Sequence, residues 1–388
     1  MGIEYDVLTR LRDHGSLSRA QLATGLDVPR PRLLGVVDRL IEAGRVVEAG
    51  PAASRGGRRS TLVELDPRIR FAAVDLGVSS VDVEITDGRL MPVASAEEPS
   101  DIRLGPEVVL RRVTETLSKL RAQGGVDRLD ALGIGLPGPV SFREGVSVSP
   151  PIMPGWDRFP VRDLLAKEVG CPVVVDNDVN VMVLGEHHSG VAQRTPDLLF
   201  VKIGSGIGCG VQVGGEIYRG ADGSAGDIGH IQIEDDGPVC ACGNRGCLEA
   251  YFGGVALVRD AEAAARAGES PALAERLAAT GRLTSRDIAD CAAAGDVICT
   301  NLIRQGGRRV GRVLTGLVSF MNPSMIVIGG GLAELGPTLL AEIRAVIYAR
   351  SLPLATGNLS IVRSELGSRA GVVGAAVLAS ELAYGRFT

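Results

Sequence analysis

Ten residues, Cys240-Ala241-Cys242-Gly243-Asn244-Arg245-Gly246-Cys247-Leu248-Glu249, constrain the fold more than any other stretch. Three of the chain's seven cysteines lie here, and Gly243 and Gly246 let the backbone turn so that the thiols converge. Converging thiolates repel one another unless a cation takes them, and a borderline-soft cation such as zinc asks for four ligands in a tetrahedron. The nearest of the four histidines is His230, in Gly226-Asp227-Ile228-Gly229-His230. Three cysteines and one histidine would close the coordination sphere, which makes the site structural, with no position for a catalytic water. Ordinary buried cysteines are the alternative, but they seldom cluster in this way. One structural zinc on His230, Cys240, Cys242 and Cys247 is expected.

A chain of 388 residues has room for two or three domains. Its hydrophobic content of 45% and formal net charge of −5 suit a soluble globular protein. No apolar run approaches the roughly 20 residues of a membrane span, and the acidic start Met1-Gly2-Ile3-Glu4-Tyr5-Asp6 does not read as a signal peptide. Cysteines used for metal rather than for pairing point to a reducing cytoplasm.

The first 65 residues carry ten arginines against eight carboxylates, so the acidic excess falls on the remainder. Ile3, Val7, Leu8 and Leu11 mark one face of a first helix that ends near Gly15. Ser18-x-x-Gln21 is a capping box opening a short second helix. Leu33, Val36, Val37, Leu40 and Ile41 repeat at the helical period, with Pro31 in the first turn and Gly44 past the end. Arg45–Ala49 and Thr61–Leu65 read as two strands joined by the loop that holds Arg55, Arg58 and Arg59. Three helices and a two-stranded ribbon make a winged helix-turn-helix with its own small core. Arg30 and Arg32, with Arg39 further along, would face a DNA major groove, and the loop arginines would meet phosphates or a minor groove. A protein-docking module is the alternative for such a segment.

Residues 66–388 contain an internal repeat. Val74-Asp75-Leu76-Gly77 and Val201-Lys202-Ile203-Gly204 each open a glycine-rich strand-turn-strand, and Gly88 and Gly215 mark the next turn at the same offset of 127 residues. Two similar lobes are implied. Glycines in such turns let backbone N–H groups reach phosphate oxygens. Val173-Val174-Val175-Asp176-Asn177-Asp178 is an apolar strand ending in polar groups, where a parallel sheet presents ligand-binding residues. Helices are expected after Asp178, over roughly 297–320, and over 370–383.

The run from Gly226 to Glu249 resembles the signature of the ROK family (repressors, open reading frames and sugar kinases), and the likeness extends over essentially the whole chain. It implies an α/β, two-lobed actin-like ATPase (ribonuclease H-like) fold: lobe one about 66–190 with the last helix about 370–388, and lobe two about 191–369. It also implies a sugar pocket between the lobes. Asn177, Asp178, Asp227, His230 and Glu249 would bind hydroxyls, and Asp178 would be the catalytic base if the protein is a kinase. Asp75, Gly77, Ser79, Gly204, Ser205 and Gly206 would line the phosphate loops, with ATP bound only in a kinase. Residues 1–65 resemble the amino-terminal domain of ROK repressors, which the sugar kinases generally lack.

Departures from the kinase pattern fall in that same shell. Asp75-Leu76-Gly77-Val78-Ser79 stands where kinases carry Asp-x-Gly-Gly-Thr, so a branched side chain is expected to crowd the first phosphate loop. The family's glutamate before x-Gly-His is the shorter Asp227, and an expected asparagine is Ile152. The chain therefore reads as a transcriptional regulator, a repressor of carbohydrate metabolism, with operator DNA and a sugar or phosphosugar effector as partners, no membrane, and a homodimer or tetramer as the working form. An ATP-dependent sugar kinase of hexokinase or glucokinase type is the alternative.

Overall fold

Capping chemistry sets the first turns of the chain. In the computed structural model, which describes residues 2–51 and 60–387, α1 (Ile3–His14) stops at Gly15, whose φ is +72°. After β1 (Leu17–Ser18), α2 (Arg19–Gly25) opens on the capping box: Ser18 Oγ accepts from Gln21 N, and Gln21 Oε1 accepts from Ser18 N at 2.8 Å. α3 (Arg30–Glu42) carries Pro31 in its first turn and buries Leu33, Val36, Val37 and Leu40. β2 (Val46–Pro51) and β3 (Thr61–Leu65) pair antiparallel, with β1 on the other side of β3. β2 runs two residues past the expected end because a register shift between Glu48 and Gly50 lets the pairing continue. Arg55, Arg58 and Arg59 lie outside the described residues.

The chain falls into two compact units: Met1–Val148, Met153–Val181 and Val372–Thr388 in the first, Ser149–Ile152 and Met182–Gly371 in the second. Beyond the winged helix, the first unit contains β4 (Arg70–Leu76), β5 (Ser80–Asp87), β6 (Pro92–Pro99), α4 (Pro106–Gly124), β7 (Ala131–Leu136), the short β8 (Val140–Ser141) and β9 (Val146–Ser147), α5 (Val161–Val169) and β10 (Val173–Asn177). Its main sheet runs β10-β7-β4-β5-β6, with β10, β7 and β4 parallel and β5 and β6 antiparallel. α6 (Asp178–Ser189) leads into the second unit.

There, β11 (Leu198–Ile203), β12 (Ile207–Val213) and β13 (Glu216–Ile217) precede five helices: α7 (Leu248–Phe252), α8 (Gly254–Arg266), α9 (Pro271–Thr280), α10 (Ser285–Ala293) and the long α11 (Val297–Met321). β14 (Met325–Gly329), α12 (Pro337–Arg350), α13 (Pro353–Thr356) and β15 (Ser360–Arg363) follow, and α14 (Ala370–Ala383) ends in the first unit. The sheet order is β13-β12-β11-β14-β15, with the same pattern of parallel and antiparallel pairs as in the first unit. The 127-residue offset in the sequence is thus a repeated strand arrangement, β4–β5 corresponding to β11–β12.

The winged helix does not have a core of its own. Its apolar residues, from Val7 and Leu11 to Val36, Val37 and Leu40, form one cluster with Phe71 on β4, Ala131 on β7, Ala379 on α14 and Tyr384. Tyr384 packs edge-to-face on Phe71 at 5.8 Å, lies under the Arg45 guanidinium, and donates to Gly88 O at 3.2 Å. Arg12, 7% exposed, donates to Ser380 Oγ at 2.8 Å and pairs with Asp13. α14 in turn lies directly on β7, since a Cβ at Gly133 would come 2.1 Å from Ala375 O. The core expected for residues 1–65 alone is thus continuous with β4, β7 and α14, because the apolar faces of these elements pack on it.

Candidate metal centre and ligand site

Two glycines shape the loop between β13 and α7. Gly243 (φ +91°) and Gly246 (φ +73°) occupy the left-handed region, and a Cβ at Gly246 would come 1.7 Å from Glu234 O. Cys240 N donates to Asn244 O at 2.8 Å, and Cys247 bridges to Gln232. This folding brings one ligand atom each from His230, Cys240, Cys242 and Cys247 within 4.8 Å of one another. His230 Nδ1 lies 3.4 Å from Cys240 Sγ, and Cys242 Sγ lies 3.8 Å from Cys247 Sγ. A tetrahedral ion with Zn–S near 2.3 Å and Zn–N near 2.0 Å sets S···S at about 3.8 Å and S···N at about 3.6 Å. Spacing and donor set therefore fit a single metal ion. Burial pushes the Cys247 thiol up to about 12 and also raises Cys240, so a metal binding here would displace protons.

With Nδ1 turned to the cysteines, the other ring nitrogen of His230 faces outward, and Nε2 lies 3.9 Å from Asp227 Oδ1. Glu249, on α7, approaches the second glycine turn: its Oε2 accepts from Ile207 N at 2.9 Å. A Cβ at Gly206 would meet that oxygen at 2.2 Å. Gly206 thus makes room for the Glu249 carboxylate, a requirement that its reading as a phosphate-loop glycine had missed. Gly204 N donates to Gly206 O and Gly254 N to Gly204 O, so the turn Gly204-Ser205-Gly206 is fixed from both sides. The second unit also holds a carboxylate that the sequence did not single out. Glu186, fully buried, accepts from Val191 N, Leu366 N and Ser364 Oγ, and so ties the end of α6 to the segment after β15.

In the first unit, Asn177 and Asp178 sit where β10 becomes α6. Asn177 Oδ1 accepts from Val179 N at 2.9 Å, and its Nδ2 donates to Gly138 O at 2.8 Å. One amide hydrogen of Asn177 remains for a ligand. Asp178 is 5% exposed, and Gly135 on β7 lets α6 come close, its notional Cβ lying 3.3 Å from Asp178 Cα. Asp75 is the penultimate residue of β4, and Gly77 N donates to Ser80 O across the turn that carries Ser79. Val78, which the sequence puts in this turn, is half-buried. Its side chain packs against the core of the first unit while its carbonyl accepts from Ile102 N.

Arg30 and Arg32 project from the exposed face of α3 with no carboxylate partner among the described residues. Arg39, further along the exposed face, pairs with Glu4 at 2.8 Å at the surface. Arg19 is taken by Asp38 and Glu48.

The class that fold and site define is a two-lobed, actin-like α/β protein with an N-terminal winged helix and a Cys3His cluster able to hold a metal ion. Residues 71–382 match the ROK family, and the chain belongs to it. A putative xylose repressor from Caldicellulosiruptor sp. (strain Rt8B.4) is 29% identical over 97% of this chain and 96% of its own length. A glucokinase from Thermotoga maritima is 30% identical, over 81% of this chain and 98% of its own. Among solved structures, a ROK family transcriptional regulator, homolog of the E. coli MLC protein, superposes with a TM-score of 0.84 at 26% identity, covering 98% of this chain and 96% of that one. No helix among the described residues is long and apolar enough to cross a membrane.

Proposed function

We propose that this protein is a transcriptional repressor that binds operator DNA through α3 and responds to a sugar or phosphosugar. The observation that carries this reading is the winged helix itself, whose Arg30 and Arg32 have no carboxylate partner among the described residues while Arg12, Arg19 and Arg39 each pair with one. Full-length similarity to a repressor, against partial coverage by the glucokinase, supports it. Asn177, Asp178, Asp227, His230 and Glu249 bind the sugar, and zinc held by His230, Cys240, Cys242 and Cys247 fixes the tautomer and orientation of His230. One winged helix makes few base contacts, so a homodimer or tetramer reads a palindromic operator. A DNA target places the protein in the cytoplasm.

Arg30→Ala and Arg32→Ala are each expected to weaken specific DNA binding by about 1–3 kcal/mol in a fluorescence titration. Combined Arg58→Ala and Arg59→Ala should weaken all sequences alike and flatten the salt dependence. Specific binding that is indifferent to Arg30 and Arg32 would refute the assignment of α3.

A second reading, a sugar kinase, draws on Asp178 and on Val78, whose side chain packs against the core of the first unit. Phosphate contacts there would come from Asp75, Gly77, Ser79, Gly204, Ser205 and Gly206. ATP turnover with a panel of pentoses and hexoses, xylose and glucose included, separates the readings. Under the regulator reading turnover is negligible, and Asp178→Asn weakens effector binding by about 1.5–3 kcal/mol, the worth of a charged hydrogen bond. A robust rate that vanishes in Asp178→Asn while effector response persists would establish the kinase instead.

A further inference from the structure

α3 turns Leu33, Val36, Val37 and Leu40 inward, which leaves Arg30, Pro31, Leu34, Gly35 and Asp38 on its other side. Leu34 is 44% exposed, and no other large apolar side chain in the described part of residues 1–65 is as open. A lone exposed leucine is ordinary on a protein surface. The neighbours of this one are not. Arg30, one turn earlier, and Arg32 have no carboxylate partners among the described residues, so Leu34 is flanked by available positive charge. Gly35, next in sequence, is bare, and a Cβ there would meet nothing nearer than Arg39 Nη1 at 3.9 Å. Asp38, one turn further on, is drawn aside by Arg19 at 3.2 Å. The exposed side of α3 is thus cationic at its start, apolar and unobstructed at its middle, and charge-neutralised beyond.

We propose that Leu34 is a specificity-determining residue that packs on the C5-methyl group of a thymine in the major groove. The proposal rests on α3 being the DNA-reading helix. Major-groove base edges are otherwise hydrogen-bonding donors and acceptors, which a leucine would desolvate without replacing their partners; the thymine methyl is the apolar exception. Gly35 lets the helix backbone approach closely enough for a four-carbon side chain to reach the base edge. Major-groove contacts from Arg30 and Arg32 would set the register in which Leu34 meets one base pair and not its neighbour.

Deoxyuridine tests this directly, because it removes the methyl group and preserves both base pairing and the polar edge. High-affinity duplexes are first selected from a random library with the full-length protein, and each thymine is then replaced in turn. At one thymine per half-site, the unaltered protein is expected to lose about fourfold in affinity, the factor that goes with one methyl-sized apolar group. Leu34→Ala should bind the thymine and uracil duplexes equally at that position, with an unchanged melting temperature, and Leu34→Met should restore part of the preference. A merely structural role for Leu34 would lower affinity without altering the thymine-to-uracil ratio. If every thymine can be replaced without effect, or if Leu34→Ala keeps the parent's ratio, the proposal falls while the DNA-binding reading stands. If no sequence is enriched and Arg30→Ala binds as the parent does, both fall. Specific capture of a protein partner that Leu34→Ala abolishes, with DNA selectivity untouched, also overturns it.

Discussion

Tyr384→Ala is expected to destabilise the first unit by about 3–5 kcal/mol, the cost of deleting a large buried aromatic ring, and to abolish DNA binding in the same urea range. The ring is 5% exposed and touches Phe71, the Arg45 guanidinium and the Gly88 carbonyl. Its cluster includes Val36, Val37 and Leu40, the buried face of α3, so the helix proposed to read DNA loses its footing along with the ring. Tyr384→Phe removes only the hydrogen bond to Gly88 and should cost about 0.5–1.5 kcal/mol. Burial also drives the Tyr384 phenol well above its ordinary range. Above about pH 10 the unfolded chain therefore sheds this proton while the folded chain keeps it, and stability falls as pH rises further. Residues 1–65 expressed alone should give no cooperative unfolding transition. A well-folded fragment, or Tyr384→Ala with parental stability and DNA affinity, would show that the shared core contributes little.

This dependence of the N-terminal module on the last helix could not be read from the sequence. Local patterns were enough for the module's own elements: Ser18 and Gln21 for the start of α2, Pro31 and the apolar period for α3, Gly15 for the end of α1. Those same patterns mark Leu11 or Val37 as buried without saying against what. Tyr384 and Phe71 are more than 300 positions apart, and no spacing rule links them. Ser364 and Glu186 are a further case, joined across 178 residues by a buried hydrogen bond.

Ligand-site residues divide in the same way. The metal set was legible because its chemistry is local: three cysteines in one turn, with one histidine close by. The side of the hairpin that Val78 faces was not legible, because a turn residue can point either way, and only the packing of β4 and β5 decides that it packs against the core. Gly206 was assigned to phosphate, yet the space it leaves is filled by Glu249, a partner 43 residues on that reaches the turn only once α7 is placed. Asn177 was read as a ligand contact, while most of its hydrogen-bonding capacity caps α6 and holds Gly138.

Removing the metal is expected to weaken sugar binding at least tenfold and spare DNA binding. Structural zinc supplies folding free energy, about 10–16 kcal/mol in small zinc-finger peptides, and most other ties of the loop from Ile231 to Cys247 run within it. Among them are the bridge from Gln232 to Cys247 and the contact of Val239 with Arg245, both within the loop itself. Once the cysteines are released, nothing fixes the tautomer of His230, and its outward nitrogen no longer has a set direction. Glu249 should move less, because Ile207 N holds its carboxylate independently of the metal. Cys242→Ser or prolonged chelation should therefore raise the effector dissociation constant at least tenfold, the lower end of what disturbed metal support usually costs. α3 belongs to the other unit, with a core that contains none of the four ligands, so operator affinity without effector should persist. Elemental analysis of protein purified without chelator should find one zinc per chain. Its absence, or a Cys242→Ser protein with parental effector affinity, would remove the metal from the account and leave His230 to be positioned by Asp227 and the backbone alone.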